Sequence, residues 1–290
     1  MAAEQPPSTI AAALAQAGVR LQSLGSPLLD AQLLLGQVLG LARGELLARG
    51  EAPIAPGQLA EFEQAVRRRA AGEPLAYITR HREFWSLELQ VTPAVLVPRP
   101  ETELVVERAL ALLGQRPARV ADLGTGSGAI ALALARERPQ WRVTAIDQSA
   151  AALEVANANA RALDINNVQF LRGDWYGPLA DQGFDLIASN PPYLGAADPA
   201  LRDPALRHEP LAALASGPTG LEDLATVIGG AGAHLLKEGW LVLEHAALQA
   251  LQVADLLVAH GFRHVRCHAD LAGLARVTEA QRAPAAYLAI

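Results

Sequence analysis

The stretch Asp122-Leu123-Gly124-Thr125-Gly126-Ser127-Gly128-Ala129-Ile130 decides the fold. An apolar strand signal, Arg119 to Leu123, runs into it, and a helical signal, Ala129 to Arg136, runs out of it. Glycines at alternate positions let the backbone turn tightly and approach a ligand at the carboxyl end of a strand. The spacing also satisfies the loose dinucleotide pattern, with Ala129 as its last member, and such a match is weak by itself. Two carboxylates turn the reading away from a dinucleotide. Asp122 is expected at the mouth of the loop, where it would repel a pyrophosphate and favour a cationic amino-acid group. Asp147 ends the next strand, Val143-Thr144-Ala145-Ile146-Asp147, where it can accept hydrogen bonds from both hydroxyls of a ribose. A nucleoside with no phosphate and a positive charge meets both conditions, and S-adenosylmethionine is such a molecule. Trp175, after Gly173-Asp174 at the end of a third strand, can stack beside the adenine; its plainer reading is a core aromatic.

Outward from that loop, strand and helix signals alternate. Strands are expected at Arg119 to Leu123, Arg142 to Ile146, Val168 to Arg172, Phe184 to Ser189 and Trp240 to Glu244. Helices are expected at Ala129 to Arg136, Ala150 to Leu163 and Ala246 to His260, with two further strands in His264 to Ile290. Near-continuous apolar strands separated by helices imply an α/β fold with a mostly parallel sheet covered on both faces. Residues 1–80 read as short helices. Ser8 is expected to cap a helix ending at Gly18, Ser26-Pro27 to open a second, and Pro56-Gly57 to open a third that ends on Arg67, Arg68 and Arg69. Three arginines in a last turn suit the negative end of the helix dipole. From Trp85 to Val91 apolar and polar residues alternate as in a half-buried strand, so residues 81–98 are expected to form a hairpin-like linker before a domain at 99–290.

The fourth strand ends in Asn190-Pro191-Pro192-Tyr193. Two successive prolines remove two N–H donors and keep the chain extended, so the backbone there offers acceptors only. Asn190 can aim its side-chain oxygen, and Pro191 its carbonyl, at the two hydrogens of one NH₂ group, while the Tyr193 ring lies against a flat group. An amide or aryl-amine nitrogen is a poor nucleophile because its lone pair is delocalised. Acceptors on both of its hydrogens draw density toward nitrogen and become better partners as positive charge develops in the transition state. No strong general base is required. Asn190, Pro191 and Tyr193 are therefore the catalytic candidates and Asn190 to Tyr193 the acceptor site, which suits a glutamine amide, adenine or cytosine equally.

Bulk properties narrow the partners. The 290 residues carry a formal net charge of −6, so no global positive field draws the protein to phosphate backbones, and a DNA partner is disfavoured. Lys237 is the single lysine, and Cys267 is alone, so neither an intrachain disulfide nor a cysteine zinc cluster can form, and no metal is expected. Met1 to Thr9 lacks the basic start and apolar run of a signal peptide, and apolar stretches such as Leu33 to Leu41 are too short to span a bilayer. A cytoplasmic protein is the expectation.

Several motifs in order resemble one family. They are Glu73-Pro74-Leu75-Ala76-Tyr77-Ile78, Leu96-Val97-Pro98-Arg99-Pro100-Glu101-Thr102-Glu103, the loop from Asp122 to Gly128, Gly173-Asp174-Trp175, Asn190 to Tyr193, and Arg207-His208-Glu209-Pro210. The chain resembles the protein-(glutamine-N5) methyltransferases that modify peptide chain release factors. The resemblance implies a class I S-adenosylmethionine-dependent methyltransferase fold, Rossmann-like, with strand order 3-2-1-4-5-7-6. It implies S-adenosylmethionine, leaving as S-adenosylhomocysteine, held by Gly124, Thr125, Gly126, Ser127, Gly128, Asp147, Trp175 and Asn190. The acceptor would be the glutamine of the Gly-Gly-Gln motif of class I release factors, and residues 1–80 a substrate-binding helical domain. Where many relatives have glycine this chain has Ser86, and Arg99 and Glu101 receive no role. The alternatives are an adenine-N6 DNA methyltransferase, which lacks a basic target-recognition domain here, a noncatalytic nucleotide-binding scaffold, which has no need of acceptors aimed at an amine, and a redox enzyme, which Asp122 disfavours.

Overall fold

A computed structural model of the chain describes residues 8–179 and 183–284. Two compact units divide between Arg80 and His81. Among its described residues the first holds five helices, α1 (Ile10–Arg20), α2 (Pro27–Leu39), α3 (Arg43–Ala48), α4 (Pro56–Ala70) and α5 (Leu75–Thr79). Its core joins Ile10, Leu14, Leu21, Leu34, Leu35, Leu46, Phe62 and Val66. Thr9, not Ser8, caps α1: its hydroxyl accepts from Ala12 N at 3.3 Å, while the Ser8 carbonyl accepts from Ile54 N. The helix passes Gly18 because its apolar stripe of Ile10, Leu14, Ala17 and Leu21 runs on beyond it. The basic end of α4 is engaged within this unit. Arg68 donates to Glu73 at 2.7 Å, and Arg69 donates to Asp30 at 2.7 Å, which gives the Glu73 motif a role as a stop for α4.

The second unit opens with a hairpin, β1 (His81–Phe84) and β2 (Leu87–Gln90), whose Phe84, Leu87 and Leu89 belong to this unit's core. Trp85 and Ser86, expected within a strand, are instead the two turn residues, at φ 51° and 58°. Positive φ at both positions matches the right-handed twist of the flanking strands, so the alternation begins at Leu87. After the hairpin come α6 (Glu103–Leu113), β3 (Arg119–Leu123), α7 (Ala129–Glu137), β4 (Arg142–Asp147), α8 (Ala150–Ala162), β5 (Val168–Arg172) and β6 (Phe184–Ser189). The chain continues through α9 (Glu222–His234), β7 (Leu235–Glu244), α10 (Ala250–Ala259), β8 (Phe262–Ala269) and β9 (Ala275–Arg282).

The seven-stranded sheet has the order β5-β4-β3-β6-β7-β9-β8, with only β9 antiparallel to its neighbours. Counting strands within this sheet, that is the 3-2-1-4-5-7-6 order of class I methyltransferases. Successive strand residues face opposite layers. Val120, Leu186, Ala188 and Val242 pack with α6 and α7, while Ala121, Ile187, Leu241 and Leu243 pack with α9 and α10. Helix α9 escaped the sequence reading because Gly229, Gly230 and Gly232 depress its propensity. It forms because Leu224, Val227, Ile228 and Ala231 make a stripe at helical spacing that is fully buried. Strand β7 starts at Leu235, ahead of the expected Trp240, through an irregular register opposite Phe184 to Leu186. Among the described residues no helix is long and apolar enough to cross a membrane.

Candidate functional site

Parallel register brings the motifs to one edge of the sheet. Leu123 pairs with Ile146 on one side and Ser189 on the other. The next residues, Gly124, Asp147 and Asn190, therefore leave three adjacent strands side by side. The strand order changes direction at β3, and ligands of such sheets bind in the crevice outside the carboxyl ends at that point. A cavity of about 580 Å³ occupies it, bordered by Gly124, Thr125, Gly126, Ser127, Asp147, Trp175, Asn190 and Pro192. Gly128, Pro191 and Tyr193 do not border it.

The glycine loop is held from both sides. Gly124 N and Thr125 N both donate to Ile146 O at 2.9 Å, and Gly126 N donates to Asp147 Oδ2 at 2.9 Å. Ser149 N donates to the other Asp147 oxygen at 2.9 Å, so the carboxylate is fixed at the cavity edge with lone pairs to spare. Gly128 is the N-cap of α7, at φ 86°; a Cβ there would lie 3.0 Å from Leu132 Cδ1 and 3.3 Å from Ala156 Cβ. Its glycine serves the close packing of α7 on α8. Trp175 borders the cavity and also packs on the core, as its plainer reading has it. Its φ of 42° is rare for a bulky residue, a local strain of the kind that collects at functional sites.

No local sequence pattern singles out Asn159. Fully buried on α8, it donates to Ser127 O at 2.9 Å and Gln90 O at 3.0 Å and accepts from Gln90 N at 2.7 Å. It thus fastens the loop to the β1–β2 hairpin. Asp122 is not at the mouth of the loop. It is wholly buried and does not reach the cavity. Its Oδ2 accepts from Thr125 Oγ1 at 2.6 Å and Ala131 N at 3.1 Å, which caps the first turn of α7, whose N-cap glycine has no side chain to do so. Burial pushes its carboxyl up to about 7.

The acceptor side is organised by residues the sequence reading left without roles. Asn190 Nδ2 donates to Thr102 Oγ1 at 3.1 Å, and Thr102 Oγ1 donates to Glu244 Oε2 at 2.6 Å. Tyr193 directs its hydroxyl to Glu244 Oε1 at 3.2 Å and packs its ring on the core, so it anchors the tetrapeptide instead of forming the cavity wall. Burial is the largest cause raising the Tyr193 hydroxyl's pKa, with the Glu244 charge next. Burial likewise pushes Glu244 up to about 7. Arg99 pairs with Glu209, whose carboxylate also accepts from Val97 N at 3.0 Å. That buried glutamate joins the Leu96–Glu103 and Arg207–Pro210 motifs, which border the cavity through Leu96, Pro98, Arg99, Thr102 and Pro210.

Of the charged residues bordering the cavity, Asp147, Asp174 and Asp223 are acidic and Arg99 is basic, with its guanidinium spent on Glu209. The cavity therefore favours a cation and disfavours a pyrophosphate, now on Asp147, Asp174 and Asp223 instead of Asp122. Among the described residues no group of three His, Cys, Asp or Glu side chains could hold a metal ion.

Sheet order, glycine loop and crevice define a class I S-adenosylmethionine-dependent methyltransferase fold. Residues 12–79 match the PrmC N-terminal domain family and residues 102–202 the methyltransferase small domain family. A release factor glutamine methyltransferase of Coxiella burnetii is 45% identical over 89% of this chain and 92% of its own length. Those of Escherichia coli and Xylella fastidiosa are 43% and 48% identical, covering 91% and 86% of this chain and 96% and 91% of their own lengths. A solved Thermus thermophilus 16S rRNA N2 G1207 methyltransferase, in complex with AdoMet and guanosine, shares the fold at a TM-score of 0.54 and 21% identity, over 70% of this chain and 49% of its own. The chain belongs to the release factor glutamine methyltransferase family.

Proposed function

We propose that this enzyme transfers a methyl group from S-adenosylmethionine to the side-chain amide nitrogen of the glutamine in the Gly-Gly-Gln motif of class I peptide chain release factors. The observation that carries the reading is the adjacency of Asp147 and Asn190 at one acidic cavity, on strands flanking the same glycine loop. Gly124 to Ser127, Asp147 and Trp175 would hold the cofactor, with Gly128 seating the loop on α7 and α8: the loop turns closely beneath it, Asp147 accepts from the ribose hydroxyls, and Trp175 stacks beside the adenine. The acidic lining fits a ligand bearing a sulfonium and an ammonium. When bound, S-adenosylmethionine supplies an electrophilic methyl group on a positively charged sulfur.

The chain's own residues act on the acceptor. Asn190 Oδ1 and the Pro191 carbonyl accept from the two amide hydrogens, which aligns the nitrogen lone pair and concentrates density on it. Both acceptors gain strength as the nitrogen becomes positive, so they stabilise the transition state more than the ground state. Pro191 and Pro192 leave the backbone no competing donor. Tyr193 holds the segment through Glu244 and keeps its ring within the core. The N-terminal helical domain, residues 1–80, would hold a second part of the release factor, and a release factor substrate fits a cytoplasmic enzyme.

The test is incubation with labelled S-adenosylmethionine and, separately, unmodified release factor, release factor with its motif glutamine replaced, and unmethylated DNA. Label in the first alone is expected. Label in the replaced factor or in DNA would overturn the assignment.

A further inference from the structure

Both ends of the Asn190–Tyr193 tetrapeptide are tied to a single carboxylate that the sequence reading did not use. Glu244 ends β7, the strand beside β6, and is 1% exposed. One oxygen accepts from Tyr193 and the other from Thr102, and the Thr102 oxygen accepts from Asn190 Nδ2. Thr102 itself borders the cavity. A hydroxyl has one proton to give. Once that proton is given to Glu244, the Thr102 oxygen can only accept, and the edge of Asn190 that faces it must be the NH₂. The carboxamide is planar, so its oxygen then lies on the opposite edge.

We propose that Glu244, acting through the Thr102 hydroxyl, sets which edge of the Asn190 carboxamide faces the acceptor, and that its ionised form is the one that presents Oδ1. With Glu244 protonated, its own O–H donates to Thr102, and the Thr102 proton is released to donate to Asn190 Oδ1. The amide turns over and presents NH₂ to an acceptor that is itself an NH₂ group. Two donors then face each other and the nitrogen is not held. Glu244 and Thr102 are positioning residues in this account, which rests on the proposed amide-nitrogen acceptor.

The surroundings place the switch in the neutral range. Burial opposes the charged form most strongly. The Thr102 and Tyr193 hydroxyls and the Arg276 guanidinium on β9 favour ionisation, while Glu101 opposes it, with the result near 7. His245, the first residue beyond β7, is pushed down by burial and directs Nδ1 to Ala246 O and Nε2 to Thr278 Oγ1.

Single-turnover methylation of unmodified release factor, followed across the neutral pH range, tests this. The wild-type rate should rise with pH through about 7 and level above it. Thr102→Val has nearly the same shape but no hydroxyl. Its rate should fall roughly 10- to 100-fold, its acid limb should vanish, and its affinity for S-adenosylhomocysteine should stay within about twofold. Thr102→Ser should restore both rate and limb. A Val variant within about threefold of wild type, a Val variant that keeps the acid limb, or a Ser variant as slow as Val would each overturn the proposal. A substrate-free readout separates this from the choice of acceptor. The Asn190 side-chain NH₂ resonance, assigned by its loss in Asn190→Ala, should titrate near 7 in wild type and not in Thr102→Val. A signal flat with pH in wild type would sink the switch, whereas wild-type enzyme that leaves release factor unlabelled would sink the substrate assignment alone.

Discussion

Asn159→Ala removes a side chain that joins two parts of the methyltransferase unit at a fully buried point. Three backbone groups lose a partner: Gln90 N, Gln90 O and Ser127 O. Gln90 is exposed, so water recovers much of what its two groups lose, whereas Ser127 is 2% exposed. A buried polar group left unpaired costs about 1–3 kcal/mol and partly solvated ones less than about 1 kcal/mol each, so the total is about 2–4 kcal/mol. With a urea slope of about 2–3 kcal/mol per molar, the unfolding midpoint of this unit should fall by on the order of 1 M. Urea titration followed by circular dichroism at pH 8 reads this directly. Because Ser127 borders the cavity, the same change frees the loop that must be ordered on binding. Titration calorimetry with S-adenosylhomocysteine should show affinity weakened about two- to tenfold. An unchanged midpoint would refute the stability argument. A lowered midpoint with unchanged affinity would show that the tie supports the hairpin without positioning the loop.

Other consequences are as specific. Ser86→Gly replaces a residue at φ 58° in the hairpin turn and should raise stability by about 0.5–1 kcal/mol, seen as a higher Tm; a lower Tm would contradict it. Asp122 and Glu244 titrate near 7 in the fold, against 3.8 and 4.5 for the free groups. Raised acid pKa values mean stability present below about pH 4 and lost as pH rises through 7, at most about 4 kcal/mol for Asp122 and about 3 kcal/mol for Glu244. Asp122→Asn should therefore lose less stability than wild type between pH 5 and 8 in urea titrations, and parallel curves would refute this. Asn190→Ala should depress kcat far more than cofactor affinity; equal losses would make Asn190 chiefly a cofactor ligand.

The ionised Glu244 that the chemistry needs is thus the form that burial disfavours, a stability cost placed at a functional site. Much of the architecture could be read from the chain because buried parallel strands are continuous apolar runs ending in turn residues. Arg119–Leu123, Val168–Arg172 and Phe184–Ser189 match their expected spans. Propensity failed where tertiary burial overrode it, as in the glycine-bearing α9, and where Trp85 and Ser86 took positive φ without glycine. The cavity side of the site followed from strand ends, since register alone places Gly124, Asp147 and Asn190 together. Side-chain direction did not follow. Asp122 and Tyr193 belong to the expected motifs, yet one caps α7 and the other turns to Glu244. The Thr102–Glu244 bond spans 142 positions, a pairing that no local pattern encodes, although a carboxylate closing an apolar strand beside β6 was a visible signal.

A crystal structure of the enzyme with S-adenosylhomocysteine and a release factor domain bearing its motif glutamine would test the chemistry most directly. Asn190 Oδ1 should lie about 3 Å from the glutamine amide nitrogen, with Thr102 behind the opposite edge of the carboxamide. An Asn190 turned away, with the glutamine amide seated elsewhere, would contradict it.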